Sequence, residues 1–447
     1  MTEQADIAVV GGGAAGLMAA IWAGRTNPTR RIVVLDGARR LGAKILVAGG
    51  GRCNVTHHAV DERAYAGSSR NAIKKVLRRF DVGETTRFFD GLGVELKQEE
   101  TGKLFPVSDD AKTILDALMR AADRAGVELL YPRRVETIER LLDQNQQAGH
   151  TDAPSLSPEA ARPGQAPGPV PGAGDSFLLR GTWGGSESIN GALIARRVVL
   201  ATGGMSLPKT GSDGQGFSLA RSLGHRITPR VFPALVPLTL PRTHFICGLS
   251  GLTLETTLEL RSRAARKLQV FTNSMLCTHF GLSGPGVLDI SRYYLDAVAH
   301  DPGSTLVLNW LPGTTVEALD AAIVEARAIS VGRVLREKMP ERLSLALCQE
   351  AGVDPAGACS QLPREQRRTL VRSVVELVLP VAGDRGFAHA EVTAGGVPLD
   401  EIRLETMESR VAPGLHLCGE ICDVDGRIGG FNFQWAWASG YTAGVSV

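Results

Sequence analysis

Apolar positions along this chain follow two rhythms. Short, nearly unbroken apolar runs occur at 7–10 (IAVV), 32–35 (IVVL), 198–201 (VVLA) and within "GLHLCGE" near the C-terminus. Runs of that length, bounded by Gly or charge, are the pattern of strands covered on both faces. Helical spacing appears in "AAGLMAAIWAG", "SRNAIKKVLRRF", "GETTRFFDGLG", "AKTILDALMRAADRAG", "FSLARSLGH" and the C-terminal "NFQWAWASGYTAG". Asp109 or Asp110 stands in place to cap the helix that begins at 111. The opening order of strand, glycine turn, helix and strand is a βαβ unit, the start of a doubly wound sheet. Strands are also expected near "VELLY" and "RRVETI". From 229 to 313 the pattern changes to short β segments punctuated by Pro and Gly. Residues 314–380 read as helices, with "VEALDAAIVEARAI" and "EQRRTLVRSVVELV" as examples. Between 143 and 175, Pro, Gly, Ala, Ser and Gln dominate without periodicity, the composition of a disordered insertion.

The expected organisation is therefore α/β. Residues 1–228 and 399–447 form one nucleotide-binding domain from both chain ends, and the β-rich insert takes 229–313 with a return strand at 381–398. The helical part lies between them. A length of 447 residues agrees with more than one domain. With 43% hydrophobic and 21% charged residues and a net charge of +2, the whole chain carries no strong field for nucleic acid or membrane. The seven cysteines (Cys53, Cys247, Cys277, Cys348, Cys359, Cys418 and Cys422) have no framework spacing, which suits reduced thiols. No basic-then-apolar leader precedes the first strand, and a cytoplasmic location is expected.

Gly11, Gly13 and Gly16 form G-x-G-x-x-G between the first strand and the first helix. The first glycine allows the tight turn, the second lets a pyrophosphate approach the backbone, and the third permits close helix–strand packing. Asp36 closes the second strand twenty residues later, where an acid accepts hydrogen bonds from an adenosine ribose. "GAKILVAGGGRCN" then supplies Gly42, Lys44, Gly50, Gly51, Arg52, Cys53 and Asn54. A glycine-rich crossover suits a large flat ring lying against the backbone, which selects FAD over NAD as the resident dinucleotide. Lys44 or Arg52 is placed to stabilise charge at the flavin or the pyrophosphate. Later segments add Ala201, Thr202 and Gly203, then Gly419, Glu420 (for ribityl hydroxyls), Gly429, Gly430, Phe431 and Asn432. Ala14, Ala15 and Val135 complete the candidate cofactor set. Cys53 reads as a small buried residue, and Cys418 and Cys422 as structural, with no further ligands ordered for a metal.

These words, together with "LFPVSDDAKTILDAL", "CTHFGLSGPGVLDIS", "AEVTAGGVPLDEI" and "GEICDVDGRIGGFNFQWAWASG", resemble the BaiN/RdsA-like (HI-type) flavoproteins of bacteria. The resemblance covers nearly the whole chain outside 143–175 and the middle helices. It implies an FAD domain built from both chain ends, a β-barrel-like insert and a helical subdomain. It also implies an oxidoreductase whose family acts on uracil in ribosomal RNA or on steroid-like enones, with NAD(P)H as electron donor. Small-amine oxidation is a further reading, to which an aromatic content of 5% lends little. A non-catalytic flavin- or RNA-binding module is the third.

For the proton that accompanies hydride, His279 in "LCTHFGLSGPG" is the candidate, with Thr278 beside it and Asn54 at the flavin edge. A loop histidine bonded to backbone is the other reading of His279. His389, Glu391 and Thr393 are weaker candidates. The basic segment 70–79 places Lys74 with Arg78 and Lys75 with Arg79 at i, i+4, which suits either a solvated helix face or a track for ribosomal RNA phosphates. A second basic run, "RSRAARK", lies at 261–267. The oligomeric state is left open.

Overall fold

The computed structural model describes residues 2–141, 176–184 and 189–447, so the insertion expected at 143–175 lies outside the described residues. The chain forms two compact units, 1–232 with 392–447, and 233–391. The crossings fall a few residues from the expected 228/229 and 398/399.

In the first unit a parallel core places the strand Ile189–Leu200 beside Glu3–Val10, which pairs in turn with Ile32–Leu35 and then Val127–Leu130. On the other side Leu415–Leu417 joins Ile189–Leu200, also in parallel. The antiparallel pair Arg133–Leu141 and Ser176–Trp183 extends from this sheet. These central strands are buried along their apolar runs, which is why they read as continuous rather than alternating. Asp110, not Asp109, caps the helix Ala111–Arg124 by accepting from Lys112 N at 2.9 Å.

The two chain ends meet helix to helix. The first helix, Ala14–Thr26, packs on the last, Phe431–Gly444. A Cβ at Gly440 would lie 2.5 Å from Ala15 O, and one at Gly444 would lie 2.4 Å from Ala19 O. Two glycines four apart thus let the backbones touch where any side chain would force them apart. Trp435 and Trp437 are buried with their indole N–H groups satisfied by Gly419 O (3.0 Å) and Val55 O (2.8 Å).

The second unit contains a seven-stranded sheet of antiparallel pairs. Its order is Leu377–Leu379, Thr305–Asn309, Thr253–Arg261, Lys267–Thr278, Gly281–Ser283, Leu238–Thr239 and Gly383–Asp384. The hydrogen-bonded ladder is open, and the β-barrel-like form expected of the insert is not shown among the described residues. The outer strands are nonetheless consecutive in the chain. Four residues span at most about 14 Å, so the sheet must curl until its edges are that close. The helices Val316–Glu325, Val331–Arg336, Glu341–Glu350 and Arg364–Val375 share one apolar core with this sheet, including Leu258, Leu308, Leu319, Leu335 and Leu370. No described helix is long and apolar enough to cross a membrane.

Candidate cofactor site

The three glycines of the first turn meet three different surroundings. Gly11 has φ +106°, and a Cβ there would lie 2.4 Å from Ala201 O. Gly13 caps the helix with φ −82°, and nothing stands within 4 Å of where its Cβ would be. At Gly16 a Cβ would lie 1.9 Å from Gly11 O. The first and third positions are therefore closed by packing, and the second is open beside a helix N-terminus that no side chain caps. Asp36 stands at this turn. Its carboxylate accepts from Gly12 N and Ala38 N, both at 2.7 Å, leaving lone pairs on each oxygen. Ala15 is buried and Ala14 half-buried in the first turn of the helix. Arg133 N donates to Asp36 O at 2.6 Å, and buried Val135 follows two residues after Arg133.

The glycine run is a broken helix. Gly42 enters it with φ +66°, five residues continue helically, and Ala48 becomes extended. Gly49, Gly50, Gly51 and Cys53 then all take positive φ. A Cβ on Gly50 would meet nothing within 4 Å, and one on Gly51 only Leu46 O at 3.9 Å. Cys53 is fully buried, and burial pushes its thiol up to about 12. Burial thereby favours the neutral thiol over the thiolate. Arg52 departs from expectation. Its guanidinium bonds Glu99 at 2.6 Å, lies 3.5 Å from Asp109 and sits 4.0 Å over the Phe105 ring. With those partners Arg52 anchors the loop.

Lys44 lies 2.5 Å from Glu420 and 2.8 Å from Ser206 Oγ. Glu420 also accepts from Ser206 Oγ (2.8 Å) and Thr393 N (2.9 Å). Thr393 Oγ1 accepts from Met205 N and Ser206 N at 2.7 and 3.0 Å. Four distant chain segments thus converge on one part-buried ion pair. Ser206 escaped the sequence reading because an isolated Ser in a Pro/Gly-rich turn carries no pattern. Gly419, with φ +78°, donates its N–H to Ser439 Oγ.

Before the last helix, Gly429 and Gly430 take φ +120° and +94°, and a Cβ on Gly430 would lie 2.6 Å from Thr56 C. Phe431 is buried and stacks with His57, ring centroids 5.0 Å apart. Asn432, expected at the flavin, is bonded within the protein. Its amide accepts from Gly426 N at 2.7 Å and donates to Gly426 O at 3.0 Å, which braces the turn.

Two buried polar atoms in this unit have no partner at positions expected to meet the cofactor: Asn54 Oδ1 and Thr202 Oγ1. An unpaired buried acceptor or hydroxyl costs about 1–3 kcal/mol, a cost that a bound polar group would relieve. Gly203, beside Thr202, takes φ +74°, and Ala201 N ties back to Val10 O at 2.9 Å. The open backbone at Gly13, Gly50 and Gly51 and these two atoms fit a bound dinucleotide.

Thr278 and His279 lie in the second unit. Thr278 Oγ1 donates to Gly281 O at 3.0 Å and closes the hairpin. His279 is exposed, edge-on to Phe280 at 5.1 Å, and its ring makes no hydrogen bond among the described residues. The backbone-bonded reading of this histidine is therefore set aside. All seven cysteines are free, and no cluster of three or more His, Cys, Asp or Glu side chains suited to a metal occurs among the described residues.

Residues 5–159 and 186–446 match the model of the HI0933-like protein Rossmann domain. The chain belongs to the HI0933-like family. It is an FAD-dependent oxidoreductase. Over 442 residues it is 32% identical to the 3-dehydro-bile acid delta(4,6)-reductase of Clostridium scindens, covering 98% of each chain. It is 30% identical over 445 residues to the ribosomal RNA dihydrouridine synthase of Escherichia coli, covering 98% of this chain and 97% of that one. The Haemophilus influenzae protein of the same description is 29% identical over 450 residues. Among solved structures, 3-ketosteroid delta1-dehydrogenase from Sterolibacterium denitrificans is similar with a TM-score of 0.49 and 12% identity, over 99% of both chains. An E. coli quinol fumarate reductase gives 0.48 and 16%, over 100% of this HI0933-like chain and 70% of that one. Likenesses of that size carry no argument about activity.

Proposed function

We propose that this protein is an NAD(P)H-dependent reductase of carbon–carbon double bonds conjugated to a carbonyl, and that its substrate is uracil within ribosomal RNA, giving dihydrouridine. The observation that carries the reading is full-length similarity to proteins described as a delta(4,6)-reductase of a 3-dehydro-bile acid and as dihydrouridine synthases. Both descriptions name the same change, saturation of a C=C bond activated by a carbonyl. Bound FAD supplies hydride to one carbon, with NAD(P)H oxidised to NAD(P)⁺, and the other carbon takes a proton.

The chain's own residues take the remaining tasks. Gly13 and the helix behind it receive the pyrophosphate, and Asp36 receives the adenosine ribose. Gly50, Gly51, Asn54 and Thr202 line the ring and ribityl end, where Glu420 and Lys44 hold the surrounding segments together. His279, exposed and without an internal hydrogen bond, is the proton donor, and Thr278 positions it by closing the hairpin.

RNA is favoured by the helix Arg70–Leu77 and its C-terminal flank. Arg70, Lys75, Arg78 and Arg79 are exposed with no carboxylate within 4.0 Å among the described residues, while Lys74 pairs with Glu62. In the other basic run half of the cations are paired: Arg261 bonds Glu259 and Glu376, and Lys267 bonds Glu259, while Arg263 and Arg266 have no carboxylate within 4.0 Å of their guanidinium groups among the described residues. A second reading, a small enone as substrate, is favoured by the 32% identity to the bile acid reductase.

The test is anaerobic incubation of the yellow protein with NADH or NADPH and unmodified ribosomal RNA transcripts, reading dihydrouridine by nucleoside mass spectrometry. A 3-oxo-Δ4 steroid forms the parallel arm. Dihydrouridine formed with stoichiometric loss of NAD(P)H is the expected result, weakened severalfold when the four free cations are changed to Gln. Reduction of the steroid alone would transfer the assignment to small enones, and reduction of neither would overturn it.

A further inference from the structure

In the second unit one guanidinium is held in place without a counter-charge. Arg385 is half-buried, and its Cζ lies 4.3 Å over the Phe280 ring. Its Nη2 is 2.9 Å from His389 Nε2. Arginine can only donate, so Nε2 accepts and the imidazole carries its proton on Nδ1. No carboxylate lies within 4.0 Å of the guanidinium among the described residues. Asp384, next in sequence, instead accepts from Gly386 N at 2.6 Å.

The scaffold under this group is ordered. Arg385 N donates to Pro237 O at 3.1 Å, and Leu240 N donates to Phe280 O at 3.0 Å, so both side chains hang from the same short segment around Leu238–Thr239. His389 N bonds back to Gly386 O at 3.0 Å, which returns the loop to the arginine. An aromatic face and a neutral imidazole fix the plane of the guanidinium while leaving it unneutralised. Its remaining N–H donors form the fork that matches an anionic oxygen group in bidentate fashion. Exposed His279 stands edge-on to the same Phe280, ring centroids 5.1 Å apart.

We propose that Arg385, set by Phe280 and His389, is an anion-binding subsite that takes a phosphodiester or carboxylate group of the substrate. The reductase reading supplies only the identity of that substrate, because the donors of the cluster suit an anionic oxygen group whatever the reaction.

Two binding arms separate the sources of that group, with Arg385→Gln and Arg385→Lys in the full-length flavoprotein. Melting temperatures of both variants close to the parent's establish that the fold is kept. In the first arm, a fluorescein-labelled uridine-rich single-stranded RNA is titrated by anisotropy across a salt series. One phosphate contact contributes about 0.7 to the slope of log K against log [salt]. Arg385→Gln should lose about that much slope, and Arg385→Lys should keep it with weaker binding. In the second arm, a steroid carboxylic acid is compared with its methyl ester. A roughly tenfold preference for the acid, abolished in Arg385→Gln, would identify a carboxylate as the ligand. An unchanged slope together with an unchanged acid preference overturns the proposal, as does a parent protein that binds neither probe. Neither arm reads hydride transfer, so failure of the reductase assignment would leave these results standing.

Discussion

Gly11, Gly13 and Gly16 stand within six residues, and a methyl group at each would meet a different fate. At Gly11 it would collide with Ala201 O in a backbone conformation that L-residues avoid, and at Gly16 it would run into Gly11 O. At Gly13 it would project into open space from a β-region backbone that alanine adopts freely. Gly13→Ala therefore separates cofactor binding from folding. Flavin-free Gly13→Ala should melt within about 3 °C of the flavin-free parent, a change on the order of 1 kcal/mol. Its FAD affinity should fall tenfold or more. Flavin-free Gly11→Ala should already melt well below the parent. Scanning calorimetry of the flavin-free proteins and FAD titration by fluorescence quenching provide both readouts. Parent-like FAD affinity in Gly13→Ala would show that no phosphate approaches that backbone.

At the scale of elements, the strand Leu415–Leu417 joins the parallel core and carries His416 into it, fully buried. Burial, reinforced by the Arg197 charge, lowers this imidazole to about 3. Unfolded, it takes a proton near pH 6.5. Between those values the unfolded chain binds more protons than the folded one, so the contribution of this group is complete above pH 6.5 and declines as the solution is acidified toward pH 3. The slope is up to about 1.4 kcal/mol per pH unit. His416→Phe should therefore show a shallower fall in melting temperature between pH 6.5 and 4 than the parent, as followed by tryptophan fluorescence. Parallel slopes would mean that His416 does not titrate alone on unfolding.

The same strand shows what the sequence made legible. Its apolar neighbours and terminal Gly-Glu marked it as buried and placed Glu420 at its end, because strand burial is written in local residue order. The first βαβ unit, the tight packing at Gly11 and Gly16 and the position of Asp36 after the second strand were legible for the same reason. The Arg52 ion pairs were not legible, because its partners Glu99 and Asp109 lie 47 and 57 positions away and charge pairing across a fold leaves no local signature. The bracing bonds of Asn432 were not legible, because a residue opening a helix after two glycines reads equally as a ligand contact or a brace for the preceding turn. The Lys44, Ser206, Thr393 and Glu420 knot was visible only in part, since its four segments are brought together by topology alone.

Taken as a whole, the molecule divides unequally between a discontinuous unit and a continuous one. Every residue of the cofactor set belongs to the unit built from 1–232 and 392–447, whereas 233–391 is one uninterrupted stretch with its own apolar core. That core joins the curled sheet to the helices that follow it, so the stretch has what an independently folding domain needs. Residues 233–391 produced alone should be soluble, unfold in a single cooperative thermal transition and show no flavin absorbance. The same fragment should retain the Arg385, Phe280 and His389 cluster, because every contact that sets it comes from within the fragment. A fragment that purified yellow would place an unrecognised flavin contact in the second unit. A fragment without a cooperative transition would mean that its core depends on the discontinuous unit, and the insertion would then have to be regarded as part of one folding unit with the nucleotide-binding sheet.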